Sequence, residues 1–365
     1  MAQHRAGNKT SQVLSFALLG SVLAMAGKAA AELPEPHHRD GRIGYVLTER
    51  HWAMYVTDER TECPQGINGR GSRELFAHEF AAADGELSVV DTRLKVEGYQ
   101  FHNESGLPDI YGDLPFYEAQ GPISYGLNLD GKIGPDSFTS PSGEEGIDNQ
   151  LFRALGCTAG YRKDGPYWFF ENDFMINNAY NRWMIEISDV EDLVNDDDVT
   201  VTTYRGMDSL STDATGEGFV SGGTQRVDMR WGQPFINQVK GKIVDGVLIT
   251  ESFPEVKFPW SQGGVTGGFH LFRDLRLQLN LTPQKATGLL GGYVDIDQFN
   301  HRFRTTWSMH HQNYGQSGSG SEYAALRRLA DAYPDPETGA NTAISSAVEV
   351  TMTQVYVLHP EPRGQ

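Results

Sequence analysis

Between positions 275 and 281 every second residue is leucine: Leu275, Leu277, Leu279 and Leu281 alternate with Arg276, Gln278 and Asn280. Side chains of an extended strand point alternately to opposite faces, so this run has one face suited to burial and one suited to water. Pro283 follows, and a residue without a backbone N–H cannot prolong a hydrogen-bonded ladder. The same period recurs where Trp183, Ile185 and Ile187 alternate with Met184, Glu186 and Ser188, and Val199 to Tyr204 is β-branched and aromatic. Lys242 to Thr250 reads as a hairpin, because Asp245-Gly246 supplies the positive φ angles of a two-residue turn. Residues 43–56 and 87–96 are further strand candidates. Residues 348–358 alternate at Val348, Val350 and Met352 and then shift phase to Val355 and Val357, which predicts a final strand with a bulge. The 41 glycines, with Asn and Asp, cluster between these runs at short intervals. Frequent turns between short strands imply mostly β architecture.

One stretch alone has convincing helical spacing. Ala325, Leu326, Leu329, Ala330 and Tyr333 recur at three and four residues, with Ser321 as a cap and Pro334 as a stop. The expected fold is therefore mainly β, with sandwich-like antiparallel sheets and one late α-helix.

The amino terminus reads as a cleavable export signal over residues 1–31. His4, Arg5 and Lys9 give a basic start, Val13 to Ala26 is an apolar run, and Ala29-Ala30-Ala31 fits a small-residue cleavage site. A run this short falls below the roughly 20 residues needed to cross a bilayer. No later segment is apolar enough to span, so no integral membrane segment is expected once the signal is removed. Residues 32–42 form a flexible lead-in, and 43–365 a β-rich globular region in which a split near 160 stays open. The expected location is the periplasm or the medium.

The formal net charge is −18, and removing the leader takes away three basic residues and no acid. Nucleic-acid binding relies on clustered Lys and Arg that release counterions, so nucleic acid is not an expected partner. Two cysteines, Cys63 and Cys157, allow one intramolecular pairing, which an oxidising compartment favours.

The segment Tyr125 to Cys157 carries Asn128, Asp130, Asp136, Glu144, Glu145 and Asp148 among glycines. Calcium takes six to eight oxygen ligands from carboxylates, amides and backbone carbonyls, and Asn128, Asp130, Asp136 and Asp148 are the candidate set. An EF-hand is excluded, because aligning Gly131 with its glycine puts Gly126 and Ser137 at the terminal ligand positions. The competing reading is a loop of Asx-turns in which these side chains bond nearby backbone N–H groups.

The run GIDNQLFRALGC, Gly146 to Cys157, resembles a segment of a group of uncharacterised exported bacterial proteins. ALRRLADAYPDPETGANTAISSA, Ala325 to Ala347, is a second stretch of that kind. The resemblance implies export and a common fold; it carries no activity and no site residues.

A second acidic cluster, Asp189 to Asp198, reads as a solvated loop between strands. An alternative metal set, His301, Met309, His310 and His311, combines imidazole and thioether donors that suit copper. On a strand, however, His310 and His311 point to opposite faces, and surface or core histidines are the plainer reading. For acid/base chemistry, Glu171, Asp173, Glu186 and Glu251 stand near aromatics such as Trp168 and Trp260, with no catalytic spacing among them. G-x-S-x-G, the P-loop and G-x-G-x-x-G are all lacking. Two function classes remain: an exported binding or structural protein of unknown ligand, with calcium ordering a loop, or an extracytoplasmic hydrolase or lyase acting on a glycan or related polymer.

Overall fold

The computed structural model describes residues 40–68, 116–163, 182–216, 218–231, 235–260, 268–305 and 319–360, together with Gly165, Trp168 and Asn172. The leader, most of the lead-in, the strand expected over 87–96, Glu171, Asp173, Met309, His310 and His311 lie outside the described residues.

The first strands in chain order are β1 (Ile43–Trp52), β2 (Phe138–Thr139), β3 (Glu145–Ile147), β4 (Trp183–Ser188) and β5 (Asp196–Arg205). After them come β6 (Gly223–Arg226), β7 (Asn237–Val244), β8 (Val247–Thr250) and β9 (Phe253–Pro259). The last are β10 (Phe269–Leu281), β11 (Lys285–Asp295), β12 (Ala332–Pro334) and β13 (Asn341–Leu358). The α-helices described in full are α1 (Gln150–Leu155), α2 (Ile296–Thr305) and α3 (Ser319–Leu329).

The expectation of a mainly β, antiparallel fold holds, but the sandwich does not. Strands β1, β4, β5, β7, β8, β10, β11 and β13 each pair antiparallel with the next, and β13 returns to pair with β1. The main sheet thus closes into an eight-stranded barrel. Alternation and turn signals define strands and hairpins, and they are the same in an open and a closed sheet. Closure is a pairing between strands some 300 residues apart in sequence, with Gly44 opposite Val355 and Trp52 opposite Val348.

The local rules behind the strands are visible. Asp245 and Gly246 have φ of 51° and 79°, the left-handed pair expected of the β7–β8 turn. Leu275, Leu277, Leu279 and Leu281 are buried and face the barrel interior with Tyr45, Leu47, Ile185, Ile187, Val201 and Leu248. Each such side chain contributes roughly 1.5–3 kcal/mol on leaving water. The opposite wall of β5 and β7 carries Thr200, Gln238, Lys240 and Lys242. Apolar inside and polar outside is the inverse of a lipid-facing barrel, and no helix among the described residues is long and apolar enough to cross a membrane.

Two details differ from the sequence reading. The phase shift in β13 is no bulge of that strand, which runs in unbroken register against β11. Val355 and Val357 instead join Val46, Met184 and Val227 in a small cluster on the outer wall, so the buried face changes where β6 lies alongside. The extra residue sits in β1, at Thr48. The helix expected over 321–333 is α3; it stops at Leu329, and Tyr333, with φ of 57°, belongs to β12. Helices α1 and α2 were not legible: α1 has six residues, too few for a period to register.

One end of the interior is filled by aromatic rings. Trp52 stacks on Trp260 at 4.7 Å, His270 stacks on Phe299 of α2 at 5.1 Å, and Trp183 meets Phe258 edge-on. Arg50, fully buried, donates to the Pro259 carbonyl at 2.7 Å and lies 4.2 Å over the Trp260 ring. Eight strands enclose a space just wide enough for side chains to fill, and here they fill it.

Candidate functional site

Since the interior is packed, open space lies on the outer wall, where the oxygen-rich segment 116–149 crosses the barrel as a strap. Its floor is set by Gly291 of β11: a Cβ there would meet the Leu127 side chain at 2.9 Å. Glycine therefore lets the strap lie flat on the sheet.

The strap is held by its own carboxylates and amides. Asp148 Oδ2 accepts from the N–H groups of Leu129 and Asp130 at 2.7 and 3.2 Å. Asn128 Oδ1 accepts from Gly131 N at 2.7 Å, and Asp130 Oδ1 from Lys132 N at 2.8 Å. Gly146 turns with φ of 81°, where a Cβ would crowd Asn128 Nδ2 and the Lys132 carbonyl. Asn149 caps α1, its Oδ1 accepting from Phe152 N, while its Nδ2 donates to the carbonyls of Ala53 and Tyr125 and to Ser124 Oγ. Gln150 donates through Nε2 to the Asp136 carbonyl and through its N–H to Ser345 Oγ on β13.

Of the residues proposed for calcium, Asn128, Asp130 and Asp148 meet at one turn of the strap, in the Asx-turn arrangement, with side-chain oxygens accepting from backbone N–H groups. Asp136 is exposed, and its charge acts on Arg153. Burial pushes the half-buried Asp148 carboxyl above its ordinary value, against the pull of its two backbone hydrogen bonds. Among the described residues no group of three or more His, Cys, Asp or Glu is arranged to hold a metal ion. His301 lies half-buried on α2.

Cys63 and Cys157 form a disulfide with Cα atoms 5.6 Å apart. Beside it Arg162 donates to Glu62 at 2.6 Å and to the Gly156 carbonyl at 2.8 Å, and the ion pair is almost wholly enclosed. The bridge ties the chain following β1 to the end of α1.

Against one side of the strap lies a groove of about 320 Å³. Strand register builds its floor in two rungs. Glu49, Thr351, Thr287 and Asn280 make one across β1, β13, β11 and β10; His51, Glu349 and Leu289 make the next. Tyr125 overhangs from the strap, its ring meeting Tyr55 edge-on at 5.8 Å. His51 Nε2 and Glu349 Oε2 are 2.6 Å apart, with side-chain exposures of 18% and 39%. The His51 hydrogen bond holds the Glu349 carboxyl below the usual range, and the charge of Lys163 adds to it. An ionised carboxylate only accepts, so Nε2 carries the proton. Nδ1 is buried without a partner among the described residues. Burial, the Glu349 charge and Tyr55 raise the Tyr125 phenol, which stays neutral.

A wider groove of about 800 Å³ runs along the start of β1 and the end of β13. There His359 Nε2 lies 2.9 Å from Glu186 and the imidazole meets Tyr204 edge-on. Asp40 and His359 bound this groove.

Sequence reasoning missed Glu49, His51, Tyr125 and Glu349 as a set. Each lies in a segment read as strand or loop, and His51 faces Glu349 solely because the barrel closes. Compared with known proteins, the chain matches no family model, no curated protein and no solved structure.

Proposed function

We propose that this chain is an exported, periplasmic or secreted barrel whose function is to bind a small polar ligand in the groove between the strap and β1, β13, β11 and β10. The observation that carries the reading is the His51–Glu349 pair on the floor of an open groove beneath the Tyr125 ring. A partly solvated, ionised carboxylate locked in one rotamer by a neighbour is preorganised to accept hydrogen bonds from a ligand. The residues around it add an amide, two hydroxyls and an aromatic ring, the usual mix of a recognition site. The leader-like amino terminus and the Cys63–Cys157 bridge suit an oxidising compartment.

Catalysis on a glycan draws on Glu49 and Glu349, which occupy diagonal positions across β1 and β13 and so stand at a spacing open to paired-carboxylate chemistry. Binding is favoured over it because the His51 hydrogen bond holds Glu349 in its ionised form, an acceptor and not the proton donor that glycosidic cleavage requires. His51 lines the groove beside Glu349 and holds that carboxylate in place.

The test is a thermal-shift screen of the purified, disulfide-bonded protein against small polar compounds, repeated with Tyr125→Ala. Compounds that bind in the groove raise Tm of the parent and lose most of that effect in the variant. If every stabilising compound acts equally on both, the ligand binds elsewhere and the groove assignment fails.

A further inference from the structure

The groove carries a charge asymmetry that its polar character alone does not require. Glu49 and Glu349 both line it, and neither Lys nor Arg is among its lining residues. The one basic side chain among them, His51, hydrogen-bonds Glu349, and Lys163 acts on that carboxylate from outside the lining. The aromatic overhang adds to the asymmetry, because the face of a tyrosine ring is the negative part of its quadrupole and attracts a cation. The Tyr55 and Tyr125 rings meet edge-on, which holds the Tyr125 ring in place. The chain as a whole is acidic, with a formal charge of −18, and its field draws cations towards such a cleft while turning anions away.

Resting on the binding reading above, we infer that the ligand of this groove is a small organic cation, an ammonium or guanidinium compound seated between the Glu49 and Glu349 carboxylates and covered by the Tyr125 ring. Glu49 and Glu349 stand at diagonal positions on neighbouring strands; a neutral polyol brings them no charge, whereas a cation adds to the partial compensation that His51 and Lys163 give Glu349. Thr287, Thr351 and Asn280 lie on the same rung as Glu49 and offer oxygens to the remaining N–H groups. The volume of about 320 Å³ is at the small end for ligand sites, which suits a compound of a few carbons. Half-exposed carboxylates are screened by salt, so affinity is modest and falls as ionic strength rises.

The experiment is an NMR titration that follows the groove residues of the purified protein with two probes of equal length, cadaverine and 1,5-pentanediol, and with glucose as a sugar. The expected result is that cadaverine shifts the Tyr125 and His51 signals and that the diol and glucose do not. Glu349→Gln and Glu49→Gln should each weaken cadaverine about fivefold, the size of one partly exposed charge contact. Either variant suffices if the other does not fold. Should the diol or glucose bind the groove as tightly as cadaverine, the cation assignment is overturned while the groove reading stands. If cadaverine binds with unchanged affinity in both glutamine variants, the carboxylates do not recognise it and the inference is again overturned. If none of the three probes shifts a groove residue, the inference falls, and the Tyr125→Ala screen then decides separately whether anything binds there.

Discussion

Glu322 is 2% exposed on α3, with Oε1 accepting from the Tyr161 hydroxyl at 3.4 Å and Oε2 without a partner among the described residues. Burial disfavours its charged form and moves its pKa from 4.5 up to about 8. The folded state therefore keeps this proton over a range in which the unfolded chain has already released it. The stabilising effect of the protonated form is complete below about pH 4.5 and is lost as pH rises through about 8. Glu322→Gln mimics the protonated acid at every pH. Its melting temperature should exceed that of the parent at pH 8 by roughly 3–6 °C and match it near pH 5. A parallel pair of Tm-against-pH curves would show that Glu322 is not the group responsible. The residue lay in the predicted helix, yet its burial was not legible: a Glu in the first turn of an 11-residue helix reads as a favourable surface charge until α1 is packed against it.

At the level of elements, the run GIDNQL explains itself once the strap is seen. Gly146 makes the tight turn, Ile147 and Leu151 enter the core, Asp148 and Asn149 hold strap backbone, and Gln150 reaches both the strap and β13. The side-chain oxygens that read as metal-type ligands accept hydrogen bonds from backbone N–H groups of a segment with little regular structure of its own. Asn149, 1% exposed, links α1, the strap and the chain after β1. Removing its side chain leaves buried carbonyls of Ala53 and Tyr125 without that donor. Asn149→Ala should cost about 2 kcal/mol in denaturant unfolding, and hydrogen exchange should accelerate first in the strap. Unchanged stability would mean that the strap is anchored by other contacts. The Asp245-Gly246 hairpin and the β10 leucines were legible because they depend on residues within a few positions of one another. The true position of the bulge, in β1, was not, since a bulge is defined only against a partner strand.

Across the barrel, the strands follow an up-and-down meander in which β1 makes two long-range pairings, with β4 and with β13, and the second closes the sheet. Strand β13 pairs with β1 and β11 and also carries β12 and β6 at its two ends. Four elements lose partners if it is absent. A chain ending at Ala340 should accordingly show no cooperative thermal transition and no near-UV circular dichroism from the Trp52 and Trp260 cluster. A cooperative melt by that truncated chain would show that the seven remaining strands form a stable open sheet. The candidate site depends on the same seam, for β1 contributes Glu49 and His51 while β13 contributes Glu349 and Thr351.

The sequence by itself determined that β1, β4, β5, β7, β8, β10 and β13 are strands, though not β9 or β11, where the tight turn between β7 and β8 lies, and that Cys63 has only Cys157 to pair with. Those follow from alternation, from the φ angles that Asp-Gly permits, and from the number of thiols. Closure of the sheet, the route of the strap across it and the meeting of His51, Glu349 and Tyr125 were decided by the tertiary structure. The reason is physical: a strand's periodicity records which face is buried, but not which strand lies beside it. A groove floor made of rungs from four strands exists only after register has been fixed.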